Sequence, residues 1–143
     1  MKADAATEKE VLEVFFKYIN AYTNQDIEGV LEHFAGDDDV LVYGTGTDEK
    51  RRGLEEIRQQ LERDFSQPAR SKVHFTWTTV SAAGSVAWLT AEFTAVYVVN
   101  NRKMSFALRQ TAVFEKRKGT WYIMNSHISL PISERDEGRP IVV

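Results

Sequence analysis

Along the first half of the chain apolar residues recur at helical spacing; from Lys72 onward they recur at a spacing of two. Val11, Leu12, Phe15, Ile19 and Tyr22 form one stripe, with Tyr18 beside it, and predict a helix over 8–22. Thr7-Glu8-Lys9-Glu10 reads as its capping box, in which the threonine hydroxyl and the glutamate three residues on satisfy each other's free amides. Asn24-Gln25-Asp26 stops this helix and caps a second. There Ile27, Val30, Leu31 and Phe34 fall at i, i+3, i+4 and i+7, and Gly36 ends the run. Positions 40–43 have strand character, and 44–49 form a loop whose glycines permit backbone angles that other residues resist. A third helix carries Leu54, Ile57, Leu61 and Phe65 on one side before Gln67-Pro68 closes it.

The change of period at Lys72 opens four long strands, near 72–82, 85–99, 102–116 and 120–130. Ala83-Gly84, Asn100-Asn101 and Lys118-Gly119 separate them with residues suited to tight turns. Helices followed by an antiparallel meander predict an α+β fold rather than a parallel α/β sheet. The expected shape is a cone-shaped roll, three N-terminal helices packed on a curved antiparallel sheet. With no repeat, linker or low-complexity stretch, 1–143 reads as a single domain with its core at about 7–131. The tail, 132–143, is mostly polar, ends on Ile141-Val142-Val143, and is expected to be loose or to add a strand to a sheet edge.

The strands are apolar on both faces: in the second, Leu89, Phe93 and Tyr97 alternate with Val86, Trp88, Val96 and Val98. A half-solvated sheet would be polar on one side. One face packs on the helices, and no helix is left to cover the other. A homodimer is therefore expected, burying the outer face through Trp88, Val96, Val98 or their odd-numbered neighbours.

Composition works mainly by exclusion. A net charge of -3 disfavours a nucleic-acid partner, and the run Lys116-Arg117-Lys118 reads as a solvated hairpin tip. The chain has no cysteine, which removes disulfides and thiolate metal sites. No apolar stretch approaches the roughly 20 residues that cross a bilayer. The first ten residues are polar and acidic, without an apolar signal region. The expectation is a cytoplasmic protein with no membrane partner.

Polar residues inside apolar strands are the informative ones. In strict alternation the last strand puts Trp121, Ile123, Asn125, His127 and Ser129 on one face, apolar at its start and polar at its end. That gradient is what a sheet shows where a core opens into a wet cavity. His127 is the candidate general acid or base there, because an imidazole exchanges protons at neutral pH; the competing reading is a hydrogen-bonded core histidine. Arg109, flanked by Ala107, Leu108 and Val113, is the candidate anion binder, with Glu92 one strand over as its internal partner. A three-residue turn at Lys118-Gly119 sets Arg109 opposite His127, and a two-residue turn sets Gln110 there. Tyr18, Tyr22, Trp77 and Trp88 are candidates for the cavity wall, or for plain core. His33 and His74 share no metal-ligand spacing with His127, and Asp37-Asp38-Asp39 reads as a solvated loop, so no metal is expected. Gly44-x-Gly46 lacks the strand-to-helix context of a phosphate loop, and no cofactor is expected.

The element order and several local motifs resemble the nuclear transport factor 2-like superfamily, nearest its SnoaL-like, ketosteroid-isomerase-like and calcium/calmodulin-dependent kinase association-domain branch. The motifs are Val40-Leu41-Val42-Tyr43-Gly44-Thr45-Gly46-Thr47-Asp48-Glu49 with Gly53, Arg109-x-Thr111-x-Val113, Gly119-Thr120-Trp121 and His127-x-Ser129-x-Pro131. The resemblance implies a cone cavity faced by His127 and usually a dimer, with Asn125 where the branch often has a second histidine. It implies no particular reaction. The position of the steroid-isomerase base falls at Tyr43 or its neighbours, and Arg109 is followed by Thr111 where the epoxide hydrolases of the superfamily have an aspartate.

Two functions follow as expectations. One is an enzyme acting on a small, partly apolar molecule, with His127 moving a proton and Arg109, Asn125, Tyr22, Trp77 and Glu92 contacting an anionic or carbonyl-bearing ligand. The other is a non-catalytic module that binds a ligand or assembles subunits.

Overall fold

The structure is a computed structural model, and residues 1–132 are described. The elements run α1 (Ala5–Thr23), α2 (Ile27–Leu31), β1 (Leu41–Tyr43), β2 (Lys50–Arg52), α3 (Gly53–Phe65), β3 (Ala69–Ala83), β4 (Val86–Val99), β5 (Arg102–Arg117) and β6 (Thr120–Ser129). The helices pack on a curved, unclosed and mostly antiparallel six-stranded sheet of order β2-β1-β6-β5-β4-β3, so the fold is α+β. β1 runs parallel to β6, and the other strand pairs among the described residues are antiparallel. The tail expectation concerns 133–143 almost entirely, which lie outside the described residues.

Two local expectations shift. α1 begins earlier than the Thr7 box implies, because the Asp4 carboxylate accepts the Thr7 amide at 2.8 Å and takes the capping position itself. Residues 50–52, which follow the expected loop and received no element in the sequence, pair with β1 as a short antiparallel strand. The three long hairpins close on two-residue turns, and both Asn100 and Asn101, like Lys118 and Gly119, have positive φ, as the twist-matched hairpin turn requires.

Two bulges govern where side chains go. On β3, Phe75 pairs with Phe93 and Trp77 with Glu92, so Thr76 is the extra residue. On β6, Phe114 pairs with Ile123 and Val113 with Asn125, so Met124 is the extra residue. Each extra residue exchanges the faces of everything beyond it. Trp121 and Ile123 point to the core, and beyond Met124 it is Ser126 that is buried and Asn125 and His127 that are exposed. The polar end of the strand therefore belongs to the outer face.

The core lies between the helices and the inner face. Phe15 and Val11 from α1, Val30 from α2, Leu89 from β4, Phe114 from β5 and Ile123 from β6 are all fully buried. Phe15 also stacks edge-on against Phe75, with ring centroids 5.5 Å apart, which ties α1 to β3. No helix among the described residues is long and apolar enough to cross a membrane.

Candidate functional site

The core does not fill the cone. A cavity of about 490 Å³ remains between the inner face of the sheet and the helices. Its wall is mostly apolar, with Ile19 and Leu61 from the helices facing Phe93, Ala95, Leu108 and Ile128 from the sheet. A volume of this size suits a small organic ligand.

One end of the wall is polar, and α3 builds it. Ile57, Gln60, Leu61 and Asp64 fall at i, i+3, i+4 and i+7, so one helix face carries two buried aliphatic side chains together with an amide and a carboxylate. The Tyr22 hydroxyl on α1 donates to Asp64 Oδ2 at 3.0 Å, and Gln60 Nε2 donates to Asp64 Oδ1 at 2.7 Å. Arg63 fixes the sense of the Gln60 amide: its Nη2 donates to Gln60 Oε1 at 3.1 Å, which leaves Nε2 to face the carboxylate.

Glu49 joins the same end from the β1–β2 loop. Its Oε2 accepts the Gly46 amide at 2.9 Å, and its Oε1 lies 3.5 Å from both Gln60 Nε2 and Arg63 Nη2. The loop wraps the carboxylate so closely that a Cβ at Gly44 would collide with it, which accounts for glycine there. Arg51 also lines the cavity, with its Nη1 donating to the Asp48 and Lys50 carbonyls at 2.6 and 3.0 Å.

The electrostatics follow from this enclosure. Loss of water around the half-buried Asp64 raises its pKa; the hydrogen bonds from Tyr22 and Gln60 pull it back, and the Glu49 charge pushes it further up. Burial and the Asp64 charge hold the Tyr22 phenol well above its ordinary range. Burial pushes Tyr18 up to about 12, and Tyr97 is raised by burial and then by Asp64 and Glu49. The phenols thus stay protonated donors, while the carboxyl group of Asp64 is shifted toward neutrality.

Of the residues singled out in the sequence, Tyr18 and Tyr22 line this cavity. Arg109, Glu92 and Trp77 lie side by side across β5, β4 and β3, and Arg109 also pairs with Ser129 on β6. His127 pairs with Thr111 and with Tyr43 on β1, whose ring is centred 5.3 Å away; Asn125 is two residues back. All five are exposed on the face opposite the cavity. Arg109 and His127 do share a face, but the expectation that they share the cavity is corrected. The turn at Lys118-Gly119 has two residues, and the Met124 bulge then moves the register one step further, so Thr111 rather than Gln110 or Arg109 opposes His127. Gln110 instead points inward, fully buried, and donates to Ser126 Oγ at 2.8 Å.

Asp64, Gln60 and Glu49 were not singled out. The signal was available for the first two, since they sit within the apolar stripe of α3. Among the described residues no group of histidines and carboxylates is arranged to hold a metal ion.

Comparison with known structures defines the class: a helix-covered, curved sheet of the NTF2-like fold. Residues 11–133 match the SnoaL-like domain, and the chain belongs to that family. An NTF2-like protein of unknown function from Pseudomonas putida is 19% identical with a TM-score of 0.79, covering 92% of this chain and 91% of its own. A provisionally named dehydratase of the NTF2-like family from Streptomyces avermitilis is 15% identical with a TM-score of 0.80, covering 90% and 98%. A provisionally named calcium/calmodulin-dependent protein kinase II association domain from Xanthomonas campestris is 24% identical with a TM-score of 0.74, covering 94% and 96%. At these identities the likeness concerns the fold alone. No curated protein matches the sequence.

Proposed function

We propose that this protein binds a small, mostly apolar organic molecule in the cone cavity, with the Asp64–Tyr22 pair holding the ligand's polar end. The observation that carries this reading is a half-buried carboxylate, hydrogen-bonded by a phenol and an amide, in the wall of an otherwise apolar enclosure. A carboxylate kept partly dry is costly to a fold, and such groups concentrate at functional sites. General acid–base work in this cavity falls to Asp64, the carboxyl group there that burial shifts toward neutrality, and not to His127, which faces away.

Binding of 2-naphthalenemethanol, a neutral two-ring alcohol, followed by its fluorescence tests the reading. Wild type and His127→Ala should bind it saturably and alike. Leu61→Trp and Ala95→Phe, which fill the cavity from opposite walls, should not. Absence of saturable binding to wild type, or binding that survives both filled cavities, overturns the proposal.

The outer face supports a second reading, as the surface of a homodimer. Trp77 is 50% exposed there and Tyr43 40%, and Trp88, Val96 and Val98 lie on the same face. Arg109 and Glu92 are cross-strand neighbours, and among the described residues neither makes an ion pair within the chain. A two-fold axis through this face lets each arginine meet the partner's glutamate, the self-complementary arrangement that such symmetry requires.

A further inference from the structure

The polar end of the cavity carries a sign as well as a position. Two carboxylates, Asp64 and Glu49, stand in its wall, joined through the single Gln60 amide nitrogen at 2.7 and 3.5 Å. Among the described residues Asp64 accepts only from neutral donors, Tyr22 and Gln60, one to each oxygen, so each oxygen keeps acceptor capacity. Arg63 is engaged with Asp48 at 2.6 Å and with Glu49. Arg51, the one cationic side chain in the wall among the described residues, gives its Nη1 to backbone carbonyls. The rings of Tyr22 and Tyr97 line the same end and both feel the Asp64 charge.

A free acceptor charge beside aromatic rings is the chemistry that recognises a cation. Building on the cavity reading above, we infer that the ligand is a protonated amine: an apolar ring or chain in the dry part of the cavity, with its ammonium group donating to Asp64 between Tyr22 and Tyr97. Because Asp64 is half-buried, the ammonium keeps part of its water and escapes the full cost of burying a charge. An anionic ligand would meet Asp64 and Glu49 head on. This departs from the anionic or carbonyl-bearing ligand expected when Arg109 was assigned to the cavity.

Three probes with one ring system and different heads decide the matter: 2-naphthylmethylamine, 2-naphthalenemethanol and 2-naphthoate, titrated calorimetrically at neutral pH. The amine should bind about tenfold more tightly than the alcohol, the difference between a charge-assisted and a neutral hydrogen bond. The carboxylate should bind most weakly. Asp64→Asn should bring the amine down to the alcohol while leaving the alcohol nearly unchanged, and Glu49→Gln should narrow the gap by less. If the alcohol binds but the amine is no tighter, the inference is overturned and the cavity reading stands. Tightest binding of the carboxylate also overturns it and points to Arg51. Failure of all three to bind overturns both. The wild-type ranking carries the decision even where a variant folds poorly.

Discussion

Deleting Met124 tests the claim that it is the extra residue of β6, held out of the ladder with β5. With it gone Asn125 follows Ile123 directly, and plain alternation keeps Ile123, Ser126 and Ile128 inward and Asn125 and His127 outward, in the pairing Phe114–Ile123 and Val113–Asn125 that the bulge already gives. The half-buried Met124 side chain is lost, at about 0.8–1.5 kcal/mol, half the burial of a large apolar side chain. Gln110 keeps its hydrogen bond to Ser126, so the cost of about 1–3 kcal/mol for a newly unsatisfied buried group does not arise. The deletion should therefore cost roughly 1–2 kcal/mol, a small share of the roughly 5–15 kcal/mol that holds a domain of this size together. Met124→Leu, which keeps the residue count and nearly the volume, should cost less than about 1.5 kcal/mol. Urea unfolding followed by tryptophan fluorescence measures both. A deletion variant that loses more than about 4 kcal/mol, a loss that a disrupted core produces and a removed bulge does not, would refute the assignment of faces.

Asp64 gives a pH prediction with a definite sign. Its folded-state pKa is raised, so the folded protein holds this proton more tightly than the unfolded chain, and wild type loses stability as pH rises from the ordinary value of 3.8 through the raised one. Tyr22 and Tyr18 on α1, Glu49, Asp48 and Arg51 around the β1–β2 loop, Arg63 on α3 and Tyr97 on β4 surround it and are common to both proteins. The melting temperature of Asp64→Asn relative to wild type should thus rise between acid and neutral pH; a flat difference shows that the carboxylate is not strained by its site. For the outer face, light scattering at micromolar concentration should give near twice the chain mass of 16.3 kDa, and Trp88→Glu should return it to the monomer. A monomeric wild type removes the dimer.

Much of the fold was legible because its signals are local and repeated. The switch from a period of 3.6 to one of 2 at Lys72, and the paired turn residues at Asn100-Asn101 and Lys118-Gly119, place the long strands within a few residues of where they lie. The bulges were not legible. Thr76 and Met124 carry no glycine or proline to mark them, and what holds each out of register is a cross-strand fit: Thr76 Oγ1 donating to the Glu92 carbonyl at 3.1 Å, and Met124 Sδ against Arg117 Nη2 at 3.8 Å. Alternation carried unbroken past Met124 sends His127 inward, and every step of the histidine-centred reading follows from that one residue.

The same strands hold the reason why the cavity wall was misread. An aspartate on an amphipathic helix is ordinarily solvent-facing, and only its phase separates Asp64 from its neighbours: three residues after Leu61 and seven after Ile57, it shares their buried side, whereas Glu62 and Arg63 do not. The polar residues of the sheet are conspicuous because strands make each exception visible, yet they sit exposed on the face opposite the cavity. Those of the helix are inconspicuous among charged neighbours, and they are the ones the fold turns inward. A cone whose sheet supplies the apolar wall must draw its charged groups from the elements that close it. Here those are α1, α3 and the loop that folds around Glu49, and the cavity's carboxylates stand where helix and loop meet rather than on the strands.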